Sequence, residues 1–210
     1  MKRRALLGAA AATALLGSCG KRRSARVQPL PAGSVVLALG DSITFGTGAE
    51  PEAAYPAQLA QLTGWHVVNA GVPGDTSAQA LARLPGLLAE HQPALVIASI
   101  GGNDFLRRLP EADTEVNLRR IAALAREAGA QVLLVAVPRP TLAAAVGAGL
   151  SDHPLYDRVA AELALPLHAG GWAHVLGNEQ LKSDQIHANA AGYRAFAEGL
   201  STSLRAAGLQ

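Results

Sequence analysis

Short apolar runs alternate along this chain with longer segments in which apolar residues recur every three or four positions. The runs Ser34–Leu39, His66–Ala70, Ala94–Ile100 and Gln131–Val137 are rich in Val, Leu and Ile, with a weaker fifth run at Leu165–His168. Strands apolar on both faces belong to a parallel sheet covered from both sides. Amphipathic stretches at 53–63, 76–90, 113–128, 152–164 and 189–207 predict helices between and after them. Thr76 and Asp113 stand where N-caps belong, and Gly64 and Gly129 stand where helices should end. The alternation predicts βαβ units in a three-layer α/β/α sandwich with a mostly parallel, five-stranded sheet. Segment 138–152 fits no element and reads as a loop near a site or a broken helix.

Ligands of such sheets bind beyond the carboxyl ends of the strands. The polar residues of this chain gather there. Gly40-Asp41-Ser42 follows the first run, and Asn69-Ala70-Gly71 closes the second, ahead of Gly74-Asp75-Thr76-Ser77. Gly101-Gly102-Asn103-Asp104 follows the third, and Asp184-Gln185-Ile186-His187 precedes the last helix. Four separate segments are thereby expected at one edge.

Charge changes the picture at the amino end. The formal net charge is +2, yet seven basic residues and no acid precede Val27. From Val27 onward 11 Lys and Arg face 16 Asp and Glu, so the folded part is mildly acidic and nucleic acid is not an expected partner. A basic start at Lys2, Arg3 and Arg4 and an apolar stretch from Ala5 to Leu16 read as a signal peptide over 1–18, too short for a membrane span. The single cysteine, Cys19, excludes an intramolecular disulfide. "LGSC" resembles the bacterial lipobox, which implies a lipidated Cys19, a tether over 19–33 and a domain over 34–207. Ordinary secretory cleavage with an incidental cysteine is the alternative.

A serine hydroxyl needs a base to remove its proton, and the base works best when a third group fixes its tautomer. Asp184 and His187 lie three residues apart, a spacing that lets the carboxylate meet Nδ1 and leaves Nε2 for Ser42. Backbone N–H groups at Ser42 and Gly71, with the Asn103 amide, are candidate donors to an oxyanion. Asp41 reads as a turn-holding acid, Asp75 as a loop-to-helix acid, and Asp104 as an acid able to orient its neighbours. His66, His91, His153, His168 and His174 lack a carboxylate at that spacing and read as surface or structural. No pair shows metal-ligand spacing, and neither a metal nor a cofactor is expected. Gly46 and Gly48 lack the lysine of a phosphate loop, Trp65 and Trp172 read as core, and Arg107-Arg108 as solvated.

In order, "GDSI", the Gly71 block, "GGND" and "DQIH" resemble the four signature blocks of the SGNH (GDSL-type) hydrolases. The resemblance covers about residues 34–200 and is closest to the bacterial periplasmic acyl-thioesterase, lysophospholipase and arylesterase branch. It implies a flavodoxin-like SGNH fold, a Ser42-His187-Asp184 triad, an oxyanion hole of Ser42, Gly71 and Asn103, and no metal. It further implies hydrolysis of carboxylic esters or thioesters: aryl esters, short- to medium-chain acyl esters, lysophospholipids or acyl-thioesters. An exported monomer, lipid-anchored through Cys19 at the periplasmic face of a membrane or soluble in the periplasm, is the expected setting. An O-acetyl esterase of envelope polysaccharide and a non-catalytic binding lipoprotein are the rival readings. Two departures stand out. Isoleucine replaces the usual leucine at 43, and Ala188 replaces the usual proline after His187, which predicts a looser loop there.

Overall fold

Five strands form the centre of the computed structural model, which describes residues 27–139 and 149–210. They are β1 (Val35–Gly40), β2 (His66–Gly71), β3 (Leu95–Ser99), β4 (Gln131–Val135) and β5 (Leu167–His168). All pairings are parallel, in the order β2-β1-β3-β4-β5. β3 is buried along its whole length, as its unbroken apolar run requires. β5 shrinks to two residues. Pro166 just before it has no N–H for the ladder and contributes only its carbonyl, to Leu134 N–H at 3.0 Å.

The long helices fall close to their predicted places: α2 (Tyr55–Thr63), α3 (Ser77–His91), α5 (Glu111–Glu127), α6 (Leu155–Leu163) and α8 (Ala190–Ala206). Three short ones, α1 (Ser42–Phe45), α4 (Gly102–Leu106) and α7 (Gly171–Leu176), carry no periodic signal in the sequence. α3, α5 and α6 cover one face of the sheet and α2, α7 and α8 the other, which completes the α/β/α sandwich. Thr76 closes a capping box with Gln79, and Gly64 ends α2 in the left-handed conformation at φ +71°. Asp113 corrects the sequence reading. Pro110 holds the N-cap position of α5, and Asp113 lies inside the first turn, where the positive end of the helix dipole favours its negative charge.

Trp172 stacks on Phe196 at 3.7 Å between ring centroids, and Tyr55 meets Phe196 edge-on at 4.9 Å. This aromatic cluster also reaches the segment after β1. Tyr55 Oη lies 3.3 Å from Thr44 Oγ1, and Tyr193 donates to Thr47 O at 2.7 Å. Trp65 and Trp172 are thus core residues, at 4% and 0% exposure.

The expected signal peptide and Cys19 lie outside the described residues, as does 140–148 of the unassigned segment, whose flanks meet in a Pro138–Asp152 bridge. Of the expected tether, residues from Gln28 on are tied to the domain. Gln28 exchanges two 2.8 Å hydrogen bonds with the Gln131 side chain, Leu30 N–H donates to Leu209 O at 2.8 Å, and the Leu30 side chain is buried. Among the described residues no helix is long and apolar enough to cross a membrane.

Candidate active site

The strand order reverses direction between β1 and β3, because the chain moves from β1 to one side and then returns to the other. The two loops at such a switch point diverge and leave a crevice at the carboxyl edge. Ser42 follows β1 and Asn103 follows β3, so both flank this crevice. The loop before α8 brings the third component. His187 Nε2 lies 3.0 Å from Ser42 Oγ, and His187 Nδ1 lies 2.7 Å from Asp184 Oδ2. The other Asp184 oxygen accepts the N–H groups of Ile186 and His187, each at 2.8 Å. Burial acts against ionisation of Asp184, but the His187 ring and these two N–H donors outweigh it and hold the carboxyl below its ordinary value.

Ala188 does not leave this loop loose. Residues 182 and 188 pair in a β-bridge, and Asn189 Nδ2 donates to Gln180 O at 2.9 Å and to Lys182 O at 3.1 Å. Asn189 Oδ1 also accepts from Gly192 N–H at the start of α8. Backbone pairing and a side-chain cap supply the restraint that proline's fixed φ gives elsewhere.

Of the candidate oxyanion donors, Ser42 N–H stands at the first position of α1, which has no intrahelical acceptor. Asn103 Nδ2 donates to Asp75 O at 3.0 Å and lies 3.5 Å from Asp41 Oδ2, at the outer limit of a hydrogen bond. One amide hydrogen is therefore anchored and the other weakly held. Gly71 differs from its expected place. Its N–H donates to Asn69 Oδ1 at 3.0 Å, and a Cβ at 71 would strike the backbone of Thr44 and Phe45. Glycine is needed there for the close approach of β2 to α1. Gly74 lies beside Asp75 at φ +84°, and among the described residues its N–H donates to none.

The acids around the crevice hold it together. Asp41 Oδ1 caps α1 by accepting Ile43 N–H at 3.1 Å. Asp104 is buried and accepts from Ser77 N–H (2.8 Å), Ser77 Oγ (2.5 Å) and Thr114 Oγ1 (3.2 Å), joining α4, α3 and α5. Sequence reasoning assigned no role to Asn69, whose Nδ2 donates to Phe45 O at 3.1 Å, or to Arg83, which grips Asp75 and Gly40. The contacts with Phe45 O and Gly40 O carry no local signal, since they span 24 and 43 residues. Phe45, Val72, Leu106, Leu109 and Ile186 supply exposed apolar side chains from the same segments. Two grooves, of about 500 and 200 Å³, open beside Val27, Ala164 and Leu165 at the amino edge of the sheet. Among the described residues no cluster of His, Cys, Asp or Glu suits a metal ion.

Asp41 gives a pH-dependent prediction. Loss of hydration pushes its carboxyl from 3.8 up to about 7, against the Ile43 N–H and with repulsion from Asp104 and Asp75 adding to the rise. A carboxyl raised in the fold contributes stability fully below its unfolded value and loses that contribution as pH rises through its folded value. Asp41→Asn keeps an acceptor for Ile43 and cannot ionise. Its stability relative to wild type should therefore rise by roughly 2–3 kcal/mol between pH 5 and pH 8. Urea unfolding at both pH values measures this, and a pH-independent difference would contradict it.

The pattern of the GDSL-like lipase/acylhydrolase family matches residues 38–195. Esterase TesA of Pseudomonas aeruginosa is 43% identical over 114 residues, which span 52% of this chain and 57% of that protein. Thioesterase 1/protease 1/lysophospholipase L1 of Escherichia coli K12 is 38% identical over 165 residues, spanning 75% of this chain and 77% of the relative. A crystal structure of TesA superposes with a TM-score of 0.73 at 34% identity, covering 82% of this chain and 99% of its own.

Proposed function

The chain belongs to the GDSL-like lipase/acylhydrolase family, the SGNH serine hydrolases, and from that premise we propose that it hydrolyses carboxylic esters or thioesters through an acyl-enzyme at Ser42. The observation that carries this is the continuous Ser42–His187–Asp184 chain at 3.0 and 2.7 Å. His187 Nε2 takes the Ser42 proton as Oγ attacks the acyl carbonyl, and Asp184 fixes the ring and stabilises the imidazolium. The same proton passes to the departing alkoxide or thiolate. Water, deprotonated by His187, then releases the acid and restores Ser42. Ser42 N–H and Asn103 Nδ2 face the developing oxyanion, with Gly74 N–H, rather than the engaged Gly71 N–H, as the third donor.

The apolar fringe of Phe45, Val72, Leu106, Leu109 and Ile186 suits an aryl ring or acyl chain. Aryl esters, short- to medium-chain acyl esters, lysophospholipids and acyl-thioesters are the proposed substrates. Their chemistry agrees with the esterase, thioesterase and lysophospholipase names of the relatives. The test is p-nitrophenyl butyrate turnover with a product burst, together with a fluorophosphonate probe that labels Ser42. Absence of both would leave a binding lipoprotein.

One observation favours the second reading, an O-acetyl esterase of envelope polysaccharide. Gln28 and Leu30 are fastened at the amino edge of the sheet, whereas Ser42 lies at the carboxyl edge. With Cys19 lipidated at the periplasmic face of a membrane, the eight residues from 20 to 27 reach at most about 30 Å. A domain of this size is about 40 Å across. The crevice would face away from its own membrane, toward soluble or polymer-borne esters. Cys19→Ser should move the protein from the membrane to a soluble or unprocessed pool and leave turnover of soluble esters intact. Wild-type protein found wholly soluble in the periplasm would refute the anchor.

A further inference from the structure

We infer that Arg83 is a positioning residue for the oxyanion hole, holding the Ser42 peptide in register with the Gly74–Asp75 turn and, through it, with Asn103. This rests on the acyl-transfer reading above. Arg83 stands on α3 with its side chain 24% exposed. Its Nε donates to Asp75 Oδ2 at 2.7 Å and its Nη2 to Gly40 O at 2.8 Å. The first partner belongs to the turn that supplies Gly74 N–H and whose Asp75 O anchors the Asn103 amide at 3.0 Å. The second is the last carbonyl of β1, two residues before the nucleophile. One planar guanidinium therefore spans the two segments that carry the backbone donors, and the third donor hangs on one of them. Arg83 is not needed to join β1 to β2, because Val72 N–H also donates to Gly40 O at 3.1 Å. What the guanidinium adds is a fixed distance between the end of β1 and the Asp75 carboxylate. Lysine, a single point charge, cannot reproduce the two-pronged geometry.

An oxyanion hole depends on tenths of an ångström, since misplacement by about 1 Å can lower the rate by roughly 10²-fold. Arg83→Ala should therefore lower kcat on p-nitrophenyl butyrate by roughly 10–100-fold, with KM within about twofold. Arg83→Lys should remain at least fivefold impaired, and added guanidinium ion at non-denaturing concentration should restore part of the Arg83→Ala rate. Because residues acting through one unit are not additive, Arg83→Ala should lower kcat less than about threefold further in an Asn103→Ala background. Circular dichroism and a melting curve check the fold, and Arg83→Lys carries the test should Arg83→Ala not fold. A kcat within twofold of wild type, a change confined to KM, or full multiplication with Asn103→Ala would overturn the inference. Activity surviving Ser42→Ala would instead overturn the acyl-transfer reading, so the two failures are separable.

Discussion

Ser42→Ala and His187→Ala should each lower kcat by more than roughly 10³-fold, and the double variant should be scarcely worse than either. Proton removal and nucleophilic attack are one event. Without the Ser42 hydroxyl the ring has nothing to deprotonate, and without the ring the hydroxyl stays a weak nucleophile. Residual rate in the single variants then comes from binding and the oxyanion donors alone. Asp184→Asn should also fall severely, because an amide can donate to Nδ1 and present the wrong tautomer at Nε2. Single-turnover and steady-state kinetics on p-nitrophenyl butyrate decide this. Losses below tenfold, or losses that multiply, would remove the triad assignment. An Asp184→Asn enzyme with full activity would point to another carboxylate beside the ring.

The sheet was legible because burial on both faces favours small and branched apolar residues, so β1 and β3 announce themselves as largely apolar runs. The polar blocks were legible for the complementary reason. At the end of such a run the chain leaves the core, and Ser42, Asn103 and His187 occupy edges where nothing apolar is required. α1 and α4 were not legible, having four and five residues, too few for a period of 3.6 to show. At α5 the sequence places the N-cap at Asp113, whereas the helix starts at Glu111 with Pro110 as its cap. Proline at 110 gives no side-chain capping signal.

At Gly71 the sequence and the fold offer different reasons for a glycine. From sequence, a glycine at a strand end suggests close approach of a ligand. In the fold the approaching body is the chain itself, since α1 lies against β2 at that point. Asn69 and Arg83 were hidden differently. Both reach partners set by topology, 24 residues away for Asn69 with Phe45 O and 43 for Arg83 with Gly40 O. A pattern confined to neighbouring residues holds no trace of such pairs.

Asn103→Ala should lower kcat by roughly 10²–10³-fold, about 2.7–4 kcal/mol, with KM changed little. In the ground state the substrate carbonyl is neutral, so an added amide donor contributes little to binding. In the tetrahedral transition state that oxygen carries almost a full charge, and a donor already fixed in place by the protein is worth far more. The Asn103 amide is prepared for this. Its hold on Asp75 O at 3.0 Å fixes the plane, while the 3.5 Å approach to Asp41 leaves its second hydrogen free to shift to a better acceptor. Asn103→Asp should be at least as damaging, because an ionised carboxylate would face both the oxyanion and the Asp75 carbonyl. Circular dichroism must show an intact fold in both variants before the rates are compared. A variant that raised KM alone would make Asn103 a ground-state binding residue, with the transition-state charge met by backbone donors only.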